Sequence, residues 1–185
     1  MSVLDTLKPL RDCGGHRLTT GLDDATIEQF ALLDSNLGLA IERAGNAFKA
    51  VSDEFADLLQ LDERDQIEQL QADFINFYAT DAVNPYVALA AAGPWIVTLK
   101  GAVLHDSGGY GMLGFGHTPQ SVLDAMAKPQ VLANVMTPSL SQRRFTDRLR
   151  GAIGRSRGAC PYARFICVNS GSEAVTVAAR LADAN

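Results

Sequence analysis

The chain has 185 residues, 47% of them hydrophobic and 20% charged, so it can bury a substantial core and is not disordered throughout. Its formal net charge is -5 and its basic residues form no long run, which argues against nucleic acid as the main partner. The sequence has no signal-peptide pattern, no apolar run of about 18 residues and no metal-ligand spacing among Cys13, Cys160 and Cys167. We therefore expect a cytoplasmic protein with free thiols that binds neither a membrane nor a metal.

Residues 1–80 are predicted to form a helical N-terminal extension. Apolar residues recur there at alternating steps of three and four, broken only by Asp34, which predicts one long amphipathic helix. Gly38 and Gly45 lie beside this stripe, where the missing side chain would let another helix approach. The stripe consists of Ile27, Phe30, Leu37, Ile41, Ala44, Phe48, Val51, Phe55 and Leu58.

A second helix is predicted after a break near Leu61, with Asp62 as its N-cap. Two roles are open for these helices. They either cover the core of their own chain or form a dimerisation arm. The apolar stripe of the second helix consists of Ile67, Leu70, Phe74 and Phe77.

Residues 81–130 are predicted to be part of a small α+β domain. Residues 95–99 have the composition of a strand, Lys100-Gly101 supplies a turn, and residues 102–105 form the return strand of a β-hairpin. A helix is then expected after Thr118-Pro119, because a capping hydroxyl and a proline both suit a helix start.

Residues 131–185 are predicted to be the start of a large α/β domain. Thr137-Pro138 repeats the same helix-starting device. Residues 163–168 have the composition of a buried strand, and an Ala-rich helix is expected after the turn at 169–174.

The turn at Ser170, Gly171 and Ser172 is the element that carries chemistry. A glycine lets the backbone approach an anion, the first N–H groups and the dipole of a helix favour a phosphate, and serine hydroxyls can donate to its oxygens. These features are equally compatible with serines that only cap their own helix. The residues alone leave both interpretations open.

Two stretches resemble class III pyridoxal-phosphate-dependent aminotransferases. One is the turn with its helix, NSGSEAVTVAARLA, which is similar to the family's phosphate-binding segment. The other is GAVLHDSGGYGMLGFGHTPQSVLDAM, which is similar to the N-terminal signature of the family. The resemblance covers about residues 84–185 and implies an α/β, fold-type I transferase fold, of which the chain would be an N-terminal fragment with a helical extension.

The resemblance also implies residue roles. Ser170, Gly171 and Ser172 would bind the phosphate of pyridoxal 5'-phosphate. Asp106 and Gly116-His117 would shape the small domain and its junction with the active site, where we expect His117 to be structural. Tyr110 would lie in a loop near the substrate, although ordinary loop packing is the alternative. Trp95 is expected in the hairpin core rather than in a binding platform.

The implied function is transfer of an amino group from a small-molecule amino donor to a 2-oxo acid by a homodimer. A decarboxylase or an aminomutase would share the same phosphate site. In the family, the lysine that attaches the cofactor follows this site, whereas Lys8, Lys49, Lys100 and Lys128 all precede it. We therefore expect no catalytic residue here and an inactive fragment of a longer enzyme. The alternatives are a sugar-phosphate-binding module and a non-enzymatic helical interaction protein.

Overall fold

The computed structural model describes residues 2–75, 79, 85–107, 114–131 and 136–184. The chain divides into two compact units, Met1–Lys128 and Pro129–Asn185. None of the helices in the described ranges is both long and apolar enough to cross a membrane. The first unit contains α1 (Val3–Arg11), α2 (Asp24–Leu33), α3 (Ser35–Glu54), α4 (Ala56–Leu59), α5 (Glu63–Gln71), β1 (Ala88–Ala92), β2 (Trp95–Thr98), β3 (Val103–His105) and α6 (Gln120–Ala127). The second unit contains α7 (Leu140–Gly154) and α8 (Gly171–Asp183).

The sheet of the first unit is antiparallel in the order β1-β2-β3. The predicted hairpin is confirmed, with Trp95 opposite His105 and Val97 opposite Val103. Gly101 closes the turn at a φ of 70°, a conformation that favours glycine. Strand β1 was not predicted, because its sequence ALAAA lacks the β-branched and aromatic residues typical of strands.

Helices α1, α2 and α3 share one hydrophobic core with the sheet. The predicted helices of the extension therefore cover the core of their own chain, and a role in dimerisation stays a prediction. A Cβ at Gly45 would lie 2.6 Å from Thr6 Cγ2 of α1, which confirms a close helix approach there. A Cβ at Gly38 would meet nothing within 4 Å, so the same prediction is wrong at that position. The buried core residues are Leu7, Leu10, Ile27, Leu37, Ala40, Ile41, Ala44, Ala92, Trp95, Val97 and Val103.

The predicted single long helix is wrong, because Asp34 divides it into α2 and α3. Asp34 has an extended backbone (φ -128°, ψ 106°), and its N–H donates to Phe30 O as α2 ends. Its Oδ1 accepts from the N–H of Asn36 at 2.9 Å and so caps α3. A short acidic side chain is more stable at such a helix start than inside a helix.

Asp62 lies at the predicted N-cap position of α5, with an extended backbone (φ -60°, ψ 149°). Its carboxylate, however, accepts from the backbone N–H of His16 at 2.6 Å and makes no capping bond to α5. The acidic residue therefore ties the loop after α1 to the start of this helix.

The predicted apolar stripe of the second helix is wrong. Leu70 is 45% exposed and Phe74, which lies beyond the end of α5, is 76% exposed. Phe77 lies outside the described residues. The buried side chains of α5 are Glu63 and Gln66, whose polar atoms bond to backbone groups of neighbouring segments.

Neither predicted threonine cap is present. Thr118 has a φ of 49° and its hydroxyl accepts from Arg43 rather than from the start of α6. Helix α7 begins after Ser139, two residues beyond Thr137. The Ser139 hydroxyl accepts from the N–H of Gln142, whose side chain accepts from the N–H of Ser139 in return. Ser139 rather than Thr137 caps the helix, because its reciprocal bonds with Gln142 satisfy two backbone N–H groups at once.

The helix predicted after residue 174 is confirmed as α8, whereas the buried strand predicted at residues 163–168 is wrong. Ile166 is 65% exposed and Val168 is 39% exposed. A strand needs a neighbour to pair with, and no described segment forms a ladder with these residues. The fold-type I assignment, which places this strand in a larger α/β sheet, stays a prediction.

Candidate functional site

The predicted phosphate-binding turn forms the start of α8 and is stabilised by a reciprocal cap. The Ser170 hydroxyl accepts from the N–H of Glu173 at 3.2 Å. The Glu173 carboxylate in turn accepts from the N–H groups of Ser170 at 3.0 Å and Asn169 at 2.8 Å. Ser170 therefore acts as a helix cap, although its hydroxyl hydrogen can still be donated to a second group.

Three donors remain at this turn after capping. The N–H groups of Gly171 and Ser172 occupy the first two helical positions, and neither has an acceptor among the described residues. The Ser172 hydroxyl also makes no hydrogen bond to a described residue. A Cβ at Gly171 would meet nothing within 4 Å, so the approach to these donors is open. Three donors at the positive end of a helix dipole suit an anion.

The Glu173 carboxylate is the one feature of this turn that disfavours an anion. It lies against the N–H groups of Asn169 and Ser170, directly beside the open donors. Its negative charge repels a phosphate, although solvent screens that repulsion at an exposed helix start. Anion affinity therefore depends on the balance between the three donors and this carboxylate.

The other predicted group, Asp106 with Gly116-His117, forms a junction in the first unit. His117 Nε2 lies 2.9 Å from Asp106 Oδ2, and both side chains are largely buried. The backbone of His117 also pairs with that of Gly93 in both directions, at 2.7 and 3.2 Å. The structural role expected for His117 stays a prediction, and its pairing with Asp106 was not predicted.

Gly116 is required at this junction by close backbone contact. Its φ is 73°, and a Cβ there would lie 2.8 Å from the backbone of Gly93. Any larger residue would combine an unfavourable conformation with a clash. The Gly-His pair of the signature therefore has a packing explanation that needs no ligand.

A cleft of about 550 Å³ borders the junction, lined in part by Asn36, His105, Ser107 and Phe115. Tyr110 lies outside the described residues, so its predicted contact with the substrate stays a prediction. Across the described ranges, no group of three His, Cys, Asp or Glu side chains is arranged to hold a metal ion.

Trp95 is confirmed as a core residue, 3% exposed, and its ring centroid lies 5.0 Å from that of His105 in a T-shaped arrangement. Its indole Nε1 donates to Asp34 Oδ2 at 2.7 Å. This hydrogen bond, followed by the one from the N–H of Asn36, holds the pKa of the Asp34 carboxyl below its usual range. The bond connects the sheet to the break between α2 and α3.

Lys100 is one of the buried polar residues that the sequence did not predict, together with Glu63 and Gln66. A lysine beside a glycine in a hairpin turn suggests an exposed side chain, yet Lys100 is 3% exposed. Its ammonium group donates to Leu59 O at 3.0 Å and also contacts Gly14 O. Burial lowers the pKa of Lys100, while the charge of nearby acidic groups opposes that shift.

Comparison of the chain with protein-family models, with curated proteins and with solved structures finds no match. The likeness to class III aminotransferases therefore depends on the two motifs alone. The geometry of those motifs is the ground for a functional proposal.

Proposed function

We propose that this chain is part of a pyridoxal-phosphate-dependent aminotransferase of the class III type. In this proposal, Ser170, Gly171 and Ser172 hold the phosphate of pyridoxal 5'-phosphate. The observation that carries it is the set of three donors at the start of α8 that have no acceptor among the described residues. The proposed reaction moves an amino group between an amino compound and a 2-oxo acid in the cytoplasm, and the bound cofactor would supply an electron sink.

The described residues fit the phosphate end of the cofactor only. Gly171 and Ser172 would donate their N–H groups, the Ser172 hydroxyl would add a third bond, and Ser170 would keep the helix start in shape. No lysine follows this turn in the chain, and Lys100 is engaged with backbone carbonyl oxygens. We propose that the attaching lysine comes from outside residues 1–185, and we expect no transamination by this chain alone. Turnover of an amino donor with a 2-oxo acid would contradict this.

The phosphate site can be tested by following backbone amide signals during titration with pyridoxal 5'-phosphate and, separately, with pyridoxal. Helix α7 is a matched control, because it begins with the same serine capping box but lacks the glycine. We expect the phosphate compound to shift the signals of Gly171 and Ser172, and pyridoxal to leave them unchanged. If pyridoxal 5'-phosphate shifted the amide signals of Leu140 and Ser141 equally, the turn would bind phosphate no better than any other helix start. An equal response to a sugar phosphate would favour the binding-module alternative.

Two substitutions test which groups of the turn bind the phosphate. A Cβ at Gly171 meets no atom of the described residues within 4 Å, so the effect of Gly171→Val should fall on the anion. Ser172→Ala removes one hydrogen bond to a charged group, which contributes about 1.5–3 kcal/mol and corresponds to roughly ten- to a hundredfold in affinity. We expect Gly171→Val to weaken binding more than Ser172→Ala does. Gly151→Val is the control, because a Cβ there is equally unhindered within a helix.

The proposal includes a homodimer. Leu32 and Leu33 of α2 are 88% and 74% exposed, so they form an apolar surface that does not pack against the core. Replacing both with glutamate leaves the buried residues untouched. We expect the sedimentation mass of the variant to fall on dilution at concentrations where the wild type stays paired. If the variant kept the same sedimentation mass as the wild type on dilution, this face of α2 would not be part of the dimer interface.

A further inference from the structure

A cluster of buried polar side chains lies where four segments of the first unit meet. Glu63 and Gln66 of α5 are fully buried, and Lys100 of the β2–β3 turn is 3% exposed. The other two segments, the loop after α1 and the end of α4, contribute backbone groups. Buried polar groups are normally all hydrogen-bonded, so each atom of this cluster can be checked for its partner.

One oxygen of Glu63 is fully used and the other is not. Oε2 accepts from the N–H groups of Leu18 at 2.7 Å and Thr19 at 2.8 Å. Oε1 is equally buried and accepts a hydrogen bond from no described residue. The two bonds to Oε2 fix the carboxylate, so Oε1 cannot turn to find a partner without breaking both.

Gln66 has a similar unpaired oxygen. Its Nε2 donates to Leu58 O at 2.9 Å, which determines the orientation of the amide. Rotating the amide by half a turn would place Oε1 against that carbonyl oxygen, and two acceptors repel each other. Oε1 of Gln66 is therefore held in place, buried and without a donor in the described part of the chain.

Glu63 and Gln66 lie on the same face of α5, because residues three apart on a helix are neighbours, and both are fully buried there. Glu63 Oε1 and Gln66 Oε1 are both acceptors, so they cannot bond to each other. A small molecule that can donate two hydrogen bonds would satisfy both oxygens. Lys100 Nζ makes two bonds to carbonyl oxygens, which leaves one hydrogen of an ammonium group for a further acceptor. A bound cation is disfavoured because the ammonium group already supplies positive charge to this cluster.

We propose that one water molecule is bound inside the first unit, donating hydrogen bonds to Glu63 Oε1 and Gln66 Oε1. Its own oxygen is available to the remaining hydrogen of Lys100. Internal waters typically make about three hydrogen bonds to otherwise unpaired buried groups, and this cluster offers that number. The water connects α5 to the hairpin turn and so fixes the loop between α1 and α2.

Magnetic relaxation dispersion of water nuclei, which counts long-lived internal waters, tests the proposal. Glu63→Gln keeps an oxygen for the two N–H groups and places an amide donor where Oε1 was. We expect this variant to show one long-lived water fewer than the wild type. Glu68→Gln, an exposed change on the same helix, should leave the count unaltered.

Gln66→Met provides a second variant that removes the acceptor while nearly keeping the side-chain length. It should also lose one long-lived water, so the test survives if Glu63→Gln does not fold. The proposal is overturned if the wild type and both variants give equal counts. It is also overturned if the carbon spectrum of Glu63 shows a protonated carboxyl at pH 7, since that proton would then join the two oxygens directly.

Discussion

Replacing Asp34 by alanine should destabilise the first unit more than the loss of a helix cap alone. The substitution removes the cap of α3 and the acceptor of the buried Trp95 indole. Loss of a cap costs about 0.5–2 kcal/mol, and a buried donor left without a partner costs about 1–3 kcal/mol. We therefore expect the free energy of unfolding to fall by about 1.5–5 kcal/mol.

Urea denaturation followed by tryptophan emission measures this effect, because Trp95 is the only tryptophan in the chain. Asp23→Ala is the matched control. Asp23 caps α2 through the N–H of Thr26 but makes no bond to the sheet. If Asp34→Ala and Asp23→Ala lowered the free energy of unfolding equally, the bond between Asp34 and Trp95 would contribute nothing and the reasoning would be refuted.

The effect of Asp34 should also depend on pH. Its pKa is lowered in the folded protein, mainly by the bond from Trp95, so its carboxylate stabilises the fold above the unfolded pKa of about 3.9. That contribution is lost as the pH falls through the lowered folded value. The difference in free energy between wild type and Asp34→Asn should therefore be constant from pH 5 to 8, as an order-of-magnitude window, and shrink below about pH 4. A difference that grew on acidification would contradict the assignment.

Three further predictions concern local geometry. Gly38→Ala should raise the free energy of unfolding by about 0.5–1 kcal/mol in urea titrations. Gly45→Ala should not, because its Cβ would clash with α1. An equal rise for both variants would be inconsistent with the contact between Gly45 and α1. Ser139→Ala should speed amide hydrogen exchange at the start of α7, and Thr137→Ala should leave it unchanged. Faster exchange in Thr137→Ala alone would favour the threonine as the cap. Glu173→Gln keeps a capping box but removes a negative charge, so phosphate titrations should give tighter binding at α8. Unchanged or weaker binding would contradict the repulsion assigned to this carboxylate.

The sequence was informative wherever structure depends on near neighbours. The hairpin was predictable because a Lys-Gly turn separates two apolar runs, and α8 was predictable from its serines and alanines. Spacing also predicted four core positions of α2 and α3, namely Ile27, Leu37, Ile41 and Ala44. It was wrong at Phe30, which is 40% exposed, and it did not include the buried Ala40. Strand β1 was missed because alanine carries little preference for a strand, and only pairing with β2 gives it that structure.

What could not be predicted depends on contacts between distant residues. Glu63 is buried because the N–H groups of Leu18 and Thr19, about 45 residues earlier, need an acceptor. Trp95 reaches Asp34 across 61 residues in the same way. At the candidate site, sequence spacing identified the turn at 170–172 but not which serine caps the helix, because the two hydroxyls differ only in their place relative to the first helical residue.

The stretch at residues 163–168, which forms no strand, affects how the protein behaves at high concentration. It exposes apolar side chains next to backbone groups that form no ladder with any described segment, the combination from which intermolecular β-structure grows. Cys167 lies in the same stretch and is exposed, so oxidation can cross-link two molecules held there. Light scattering should therefore rise with concentration and without reductant, and a charge introduced by Ile166→Lys should suppress that rise.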